Sequence, residues 1–338
     1  MKDGKFITLG IESSCDETSI AVVADGRQLM SDVISSQIAL HTVFGGVVPE
    51  LASRHHLQNI NSVLDEALSE AGVTLDDVDL IGVTNGPGLI GAVVIGVATA
   101  KALSFAKDIP LVGVNHMHGH VSANYIQYPD LEPPFMALIV SGGHTNIVEV
   151  TDYNECKVLG GTRDDAVGEA YDKVARVIGL GYPGGPKVDK AAKDGNPEAV
   201  HFKRVYLEKD SLDFSFSGLK TAVLNYINTE KMAGREINVA DVSASFQQAV
   251  LDVVVDKTMM AVRNMNKDRL VIAGGVAANS ELRRELKEAC HKEGIRLYAP
   301  EPVLCTDNGA MIAAAAYYKY KKHGADDLHL DAYADLSL

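Results

Sequence analysis

The chain has 338 residues, which is too long for one small core, so two domains are expected. An apolar fraction of 46% is ordinary for a globular protein. The net charge of −14 excludes nucleic-acid binding through bulk positive charge, although it allows a local basic patch or a partner that supplies one. The four cysteines fit neither a disulfide framework nor a zinc finger and no signal peptide is recognised, so a reduced cytoplasmic setting is expected. The longest apolar run, 89–106, is interrupted by glycine and polar residues, which predicts a packed core helix and no membrane association.

Apolar periodicity and turn residues predict the elements of the first half in chain order. Strands are expected at 5–11, 18–23 and about 28–37, then a helix at about 48–71, a strand at 80–84, a helix at 86–106, a strand at 111–115 and a helix from about residue 116. Polar turns at 12–17 and 25–26 join the first three strands.

The second half repeats this order of elements. It predicts strands at 135–141, 146–150 and about 156–160, a helical region with inserted loops at about 164–266, a strand at 270–273, a helix at 280–293, a strand at 295–298 and a last helix at 308–322. Such a repeat predicts mixed sheets flanked by helices in two lobes, with a ligand in the cleft between them. The first lobe is expected to span 1–130, with 308–338 packing back on it, and the second to span 131–307, with an insertion near 187–240.

Three of the eleven histidines fall within the five residues His116-Met117-His118-Gly119-His120. If a helix begins at about His116, then His116 and His120 lie one turn apart on the same face and can bind one metal ion. The alternative is that these are surface or capping histidines. Asp307 precedes an apolar helix and is either its N-cap or a carboxylate that completes the two histidines. Two histidines and one carboxylate leave open coordination positions, as in catalytic metal sites, and both Fe(II) and Zn(II) would fit.

Three turns rich in glycine or serine follow apolar strands, at 10–19, 141–145 and 273–279. Glycine lets backbone N–H groups approach a phosphate, and the first two turns fall at equivalent places in the two halves. The alternative is that these glycines only make tight turns. None of the three is a Walker A or a dinucleotide-binding loop.

Several charged residues have both a functional and an ordinary interpretation. Asp172 and Asp189 flank the glycine-rich stretch 179–186, where a carboxylate can hold ribose hydroxyls, or they are solvated helix residues. Asp16 and Glu17 either position a metal, nucleophile or proton, or are ordinary turn acids. Two basic clusters are candidate nucleic-acid contacts, with solvated helix faces as the alternative. They are 319–323 and the looser set Lys187, Lys190, Lys193, Lys203 and Arg204.

Six segments carry a resemblance to a known family. They are GIESSCDET at 10–18, GGVVPELASR at 45–54, NGPGL at 85–89, the histidine segment at 116–120, SGGHT at 141–145 and AGGVAAN at 273–279. In this order they resemble the bacterial TsaD family, also called Gcp or YgjD, over essentially the whole chain.

The resemblance implies an α/β fold of two RNase-H-like lobes around a nucleotide cleft, as in the actin/Hsp70/sugar-kinase (ASKHA) class. It implies transfer of threonylcarbamoyl from threonylcarbamoyl-AMP to the exocyclic amine of the adenosine 3′ of the anticodon, in tRNAs that read ANN codons. The implied partners are tRNA, a TsaB-like inactive paralogue and a TsaE-like P-loop ATPase.

The resemblance also implies a set of site residues. One divalent metal per subunit, Fe(II) or Zn(II), would be bound by His116, His120 and Asp307. An adenine nucleotide or threonylcarbamoyl-AMP, with or without Mg(II), would occupy the cleft and contact Ile139, Val140, Ser141, Gly142, Gly143, Asp172, Gly185, Asp189 and Asn279. The N–H groups of the glycine turn would stabilise developing negative charge. The catalytic candidates are Asp16, Glu17 and His144, the last a proton shuttle or else an ordinary loop histidine.

Three other functions compete with the transferase. A zinc protease of the HExxH kind needs a glutamate where this chain has Met117. A kinase or chaperone-like ATPase on the same fold has no need of the histidine helix. A non-catalytic scaffold would not need His116, His120 and Asp307 together.

Overall fold

The computed structural model describes residue 2 and residues 4–338, which form ten strands and eleven α-helices. The strands are β1 (Ile7–Glu12), β2 (Glu17–Ala24), β3 (Gln28–Ser36), β4 (Leu80–Gly86), β5 (Leu111–Asn115), β6 (Phe135–Val140), β7 (Thr145–Asp152), β8 (Glu155–Gly161), β9 (Arg269–Ala273) and β10 (Arg296–Tyr298). The helices are α1 (Ile38–Thr42), α2 (Pro49–Ala71), α3 (Ile90–Lys107), α4 (His116–Gln127), α5 (Val167–Val177), α6 (Gly184–Ala192), α7 (Ser217–Met232), α8 (Val239–Asn264), α9 (Ser280–Glu293), α10 (Pro302–Cys305) and α11 (Gly309–His323).

Every strand and helix expected from the sequence is present, with ends displaced by a few residues. The helix expected from residue 86 begins later, at Ile90, because Gly86 has φ +148° and Pro87 and Gly88 follow it before the helix. The long helical region at 164–266 consists of four helices, α5 to α8. The short helices α1 and α10 were not expected, since four or five residues carry too little periodicity to be recognised.

The two five-stranded sheets share one strand order. The first is β3-β2-β1-β4-β5 and the second is β8-β7-β6-β9-β10 when read in the same sense. In the first sheet β2 pairs antiparallel with both β1 and β3, whereas β1, β4 and β5 are parallel. The repeat of elements in the sequence is therefore a repeat of sheet topology.

The chain divides into two compact units. One contains the chain up to Pro134, then Val150–Cys156 and Pro300–Leu338, and the other contains Phe135–Glu149 and Lys157–Ala299. The two lobes expected from the sequence, at 1–130 and 131–307, are a separate division of the chain and remain a prediction.

Helix α11 packs closely against the first sheet because small residues meet at the contact. A Cβ on Gly10 of β1 would lie 2.5 Å from the backbone nitrogen of Ala313, and one on Gly82 of β4 would overlap the Cβ of Ala316. Gly10 is therefore a packing residue within a strand. Its assignment to a glycine-rich turn at 10–19 was wrong, and the connection between β1 and β2 covers only 13–16.

Helix α3 is long and apolar enough to cross a membrane by length and composition alone. It packs against β4 and α2, and one face of it is buried. The buried residues of that face are Ala92, Val93, Gly96, Val97, Ala100 and Ser104. This face is packed as expected from the interrupted apolar run, whereas Ile90, Val94 and Phe105 of the same helix are exposed.

After α11 the chain returns along the ends of β5 and β4. The backbone N–H of Asp326 donates to Leu111 O, and that of Tyr333 donates to Asn85 O. Farther along, the side-chain amide of Asn115 donates to the carbonyls of Leu336 and Ser337. The final residues thus contact Asn115, the last residue of β5, which directly precedes α4.

Candidate metal centre and binding loops

The start of α4 determines where the histidines lie. Asn115 is the N-cap of this helix, and its side-chain oxygen accepts a hydrogen bond from Met117 N at 2.9 Å. Because the helix begins at His116, His116 and His120 lie one turn apart, and both are buried. The third histidine, His118, is separate from them.

Asp307 lies opposite the two histidines, just before α11. Its Oδ1 atom is 3.5 Å from His116 Nε2 and 3.4 Å from His120 Nε2. The N-capping role that the sequence left open for Asp307 belongs instead to Asn308, whose side-chain oxygen accepts from Met311 N at 2.8 Å. The carboxylate of Asp307 therefore faces the histidine pair.

The donor set fits a divalent metal ion. One ligand atom from each of His116, His120 and Asp307 lies within 4.8 Å of the other two. Tetrahedral zinc with ligands at ~2.0–2.2 Å needs ligand atoms separated by roughly 3.4 Å, close to the two distances from Asp307 Oδ1. Among the described residues Nδ1 of His120 is buried and makes no hydrogen bond, and the buried Nε2 faces Asp307 Oδ1 at 3.4 Å. Such buried polar atoms are costly unless something binds them.

Glu12 is a residue of this site that the sequence analysis missed. It is the last residue of β1 and is fully buried, and its Oε2 atom lies 3.0 Å from His116 Nδ1. Burial lowers the pKa of His116, but the charges of Asp307 and Glu12 outweigh it and raise the value to about 9. Burial and the nearby His116 lower the pKa of His120. An acid at the end of a strand that is otherwise apolar was the available signal for Glu12.

Asp16 and Glu17 lie where β2 begins, and both are largely enclosed. The backbone oxygen of Asp16 accepts from Gln37 N, and the Glu17 carboxyl accepts from Ser36 Oγ at 3.0 Å. Burial, followed by the charges of Asp16 and Asp307, raises the pKa of Glu17 to about 10. This environment favours the neutral form of the Glu17 carboxyl, which can donate a hydrogen bond.

His118 and two lysines of the basic cluster at 319–323 make contacts within the chain, and binding of nucleic acid by the cluster stays a prediction. His118 Nδ1 lies 3.6 Å from Cys156 Sγ, and burial together with Lys319 lowers its pKa to about 4. Lys319 Nζ donates to Gly113 O at 2.7 Å, and Lys322 pairs with Asp152 and Glu155. The looser cluster is mixed, because Arg204 pairs with Asp252 and Lys187 donates to Tyr182 O, whereas Lys190, Lys193 and Lys203 are exposed.

In the second unit, the turn at 141–145 is closed by its own hydrogen bonds. Ser141 N donates to His144 O at 2.8 Å, and His144 N donates to Ser141 Oγ at 3.1 Å. A Cβ placed on Gly142 or Gly143 would meet no atom within 4 Å, so this side of the turn is open to a ligand. The preceding Ile139 and Val140 are buried in β6 and can offer a ligand only backbone atoms.

The other predicted nucleotide contacts of the second unit lie around α6 and the start of α9. Asp172 Oδ1 accepts from Gly184 N at 2.6 Å, and Asp189 accepts from both the backbone and the hydroxyl of Ser280. Asn279 caps α9 and donates to Gln247 Oε1 at 2.9 Å. Gly185 has open space around the position of a Cβ. The fold therefore links these four residues, while their contact with a nucleotide remains a prediction.

Comparison with solved structures shows the fold alone. Full-length HypF in its phosphate- and nucleotide-bound form matches with a TM-score of 0.62 at 14% identity, covering 96% of this chain and 47% of that chain. Component A of the (R)-2-hydroxyglutaryl-CoA dehydratase of Acidaminococcus fermentans matches with a TM-score of 0.54 at 15% identity, covering 94% and 100%. Fold and site together define a two-lobe α/β protein of the ASKHA class with a buried pair of histidines and one carboxylate.

Comparison with protein sequences identifies the family. The family TsaD, described as tRNA N6-adenosine threonylcarbamoyltransferase, matches residues 28–314. A relative with that name from Clostridium botulinum (strain Kyoto / Type A2) is 58% identical over 330 residues, covering 98% of this chain and 97% of the relative. One from Clostridium perfringens (strain 13 / Type A) is 55% identical over 334 residues, covering 99% and 98%. The chain belongs to the TsaD family, which confirms the resemblance found in the sequence.

Proposed function

We propose that this chain is a tRNA N6-adenosine threonylcarbamoyltransferase that takes its acyl group from threonylcarbamoyl-AMP. The observation that carries this proposal is the cluster of two buried histidines, His116 and His120, with the partly exposed Asp307 in a member of this family. The N6 amine of the adenosine 3′ of the anticodon, in tRNAs that read ANN codons, attacks the carbamoyl carbon. A C–N bond forms, the bond from that carbon to the phosphate oxygen breaks, AMP leaves with the electron pair, and the amine loses one proton.

The metal centre and the glycine turn have distinct roles in this proposal. A divalent cation, Fe(II) or Zn(II), held by His116, His120 and Asp307 would supply Lewis-acid polarisation of oxygen atoms. The N–H groups of Gly142 and Gly143 would donate to oxygens that gain negative charge in the transition state.

The remaining predicted residues orient the donor and move protons. Asp172, Gly185, Asp189 and Asn279 are assigned to the adenylate, which binds with or without Mg(II). Asp16, Glu17 and His144 remain the candidates for proton transfer. The raised pKa of Glu17, about 10, favours a role as hydrogen-bond donor over a role as base.

The proposed partners are tRNA, a TsaB-like paralogue and a TsaE-like P-loop ATPase, all in the cytoplasm. Three large apolar side chains on the packed pair α2 and α3 support a protein partner, because Leu57 is 64%, Ile90 49% and Val94 44% exposed. All four cysteines are free, as expected in a reducing compartment. The net charge of −14 favours tRNA docking on a local patch or on a surface shared with partners.

Reconstitution tests the function directly. The purified chain is mixed with the two partner proteins, ATP, threonylcarbamoyl-AMP and unmodified tRNA, and nucleosides are analysed by mass spectrometry. We expect threonylcarbamoyladenosine, no product with His116→Ala/His120→Ala, and product with His118→Ala, the matched control from the same helix. Circular dichroism establishes that the variants are folded.

The same experiment separates the alternatives. Full activity of the double variant would eliminate the role of the metal. Absence of product with partners that work with another family member would leave an ATPase or a scaffold. A protease is disfavoured because Met117, at the position of the missing glutamate, is a buried core side chain.

A further inference from the structure

We propose that Glu12 is a positioning residue of the metal centre: it holds the ring of His116 with a hydrogen on Nδ1, so that Nε2 faces the cation. This inference rests on the metal centre in the proposed function. Nothing in the sequence pattern assigned Glu12 a role, and its contribution is visible only once β1 and α4 are placed side by side.

Donors from three parts of the first unit fix the Glu12 carboxylate. Its Oε2 atom accepts from Thr84 Oγ1 at 2.6 Å and contacts His116 Nδ1 at 3.0 Å. Its Oε1 atom accepts from the backbone nitrogen of Ser14 at 2.5 Å. These bonds come from β4, from α4 and from the connection after β1, so the carboxylate cannot rotate without losing at least one of them.

This contact determines which nitrogen of His116 is left for a metal. An ionised carboxylate only accepts hydrogen bonds, so the His116 nitrogen that faces it must carry a hydrogen. Nδ1 therefore donates, and Nε2, which lies 3.5 Å from Asp307 Oδ1 on the side of the other ligands, is the nitrogen left for a cation. Carboxylates in this position orient metal-binding histidines and increase their basicity.

The two histidines of the cluster differ in this respect. In the part of the chain that the structure describes, Nδ1 of His120 is buried and has no hydrogen-bond partner. In His116, by contrast, Nδ1 is held by two contacts, which set the orientation of the ring. One is with Glu12 Oε2, and the other is with Ser14 Oγ at 3.2 Å. The geometry makes His116 the pre-oriented ligand and leaves His120 free of such a restraint.

The substitution Glu12→Gln tests this role, because it removes the charge and keeps the shape. An amide can turn its NH₂ group toward Nδ1 and so favour the wrong tautomer of His116. We expect the affinity for Zn²⁺, measured by competition with a chromophoric chelator at constant pH, to fall roughly 10- to 100-fold. The matched control is Glu149→Gln, which removes a carboxylate paired with Lys267 in the second unit and should bind Zn²⁺ like the unmodified chain.

A spectroscopic readout separates positioning from a merely structural role. In the zinc-loaded protein, ¹⁵N NMR of the His116 ring should show a protonated Nδ1 that exchanges slowly with solvent, and in Glu12→Gln that signal should shift and exchange faster. Thr84→Val removes one of the three donors and should lower Zn²⁺ affinity by a smaller factor, which keeps the proposal testable if Glu12→Gln does not fold.

The outcomes are distinct from those for the transferase. Folded Glu12→Gln, or Thr84→Val in its place, with unchanged Zn²⁺ affinity and unchanged His116 signals would overturn the inference. An unmodified chain that binds no Zn²⁺ would overturn the metal centre and this inference with it. Zinc binding that depends on Glu12 in a protein with no transferase activity would support the inference while the proposed function failed.

Discussion

Substitution of Gly10 by alanine should weaken both the first unit and its metal centre. The new Cβ would lie 2.5 Å from the backbone nitrogen of Ala313, and nearer still to the carbonyl oxygen of Gly309. Both obstacles are backbone atoms, which cannot rotate away as the end of a side chain can. Relief therefore requires α11 to move away from β1.

The size of the effect follows from that movement. Non-bonded Cβ atoms essentially never approach closer than 3.0 Å, so the contact with Ala313 alone requires β1 and α11 to separate by 0.5 Å, and the nearer Gly309 oxygen requires more. Overpacking of this kind costs about 1–3 kcal/mol, and the clash with rigid backbone places Gly10→Ala at about 3 kcal/mol. Asp307 lies two residues before Gly309, and metal–ligand distances tolerate only ~0.2 Å, so Zn²⁺ affinity should fall about tenfold or more.

Two measurements check this reasoning, the urea midpoint of unfolding and the competition assay for Zn²⁺. Gly218→Ala is the matched control, because a Cβ there meets no atom within 4 Å and α7 already holds the residue in helical geometry. Its stability should be unchanged or higher by about 0.4–1 kcal/mol. A Gly10→Ala protein with the midpoint and Zn²⁺ affinity of the unmodified chain would refute the close seating of α11 on β1.

Three further predictions follow from the same contacts. In the folded, metal-free protein the pKa of His116 is raised from 6.5 to about 9. The protonated ring therefore stabilises the folded state by roughly 3 kcal/mol. This contribution is complete below pH 6.5 and is lost as the pH rises through 9. The difference in unfolding free energy from His116→Ala should shrink over that range, and a constant difference from pH 6 to 10 would contradict it. Asn308→Ala removes the N-cap of α11 and should cost about 1 kcal/mol in urea unfolding, with weaker Zn²⁺ binding through Asp307. Lys322→Ala should leave the urea midpoint nearly unchanged, since solvent screens this exposed ion pair, and should leave tRNA affinity unchanged in a filter-binding assay, because the charge is already paired.

Local periodicity was enough to predict the elements and to bring together the two histidines of the candidate metal centre. The apolar run before His116 ends a strand, and the i,i+4 spacing then places His116 and His120 on one helix face. Asp307 is nearly 190 residues away, so the residues alone left it as either an N-cap or a third ligand, and the family resemblance favoured the ligand. Reasoning from the residues alone allowed an N-cap at Asp307, but the next residue, Asn308, takes that role.

Glycines show where sequence reasoning fails for physical reasons. A glycine required by the close approach of another element and a glycine left open for a ligand look identical in sequence. Gly10 meets α11, and Gly274 meets the backbone of Val140, whereas Gly142 and Gly143 have open space. Only tertiary structure separates the two classes, and it leaves the turn at 141–145 as the stronger candidate for phosphate contact.

The candidate metal centre is assembled by the contacts that hold the first unit together. Ser19 of β2 accepts from Gly309 N at 2.8 Å and donates to Asp32, so the start of α11 is fixed to the sheet just after Asp307. Glu12, at the end of β1, likewise fixes His116 at the start of α4 to the sheet. Any ion that binds these ligands only when the sheet and both helices are in place must also stabilise that arrangement, by about 2.7 kcal/mol at a free concentration one hundred times Kd. Folding of the first unit and binding of such an ion would therefore be one coupled equilibrium, so substitutions of a packing glycine, Gly10, and of a buried glutamate, Glu12, are both expected to change the affinity for the metal.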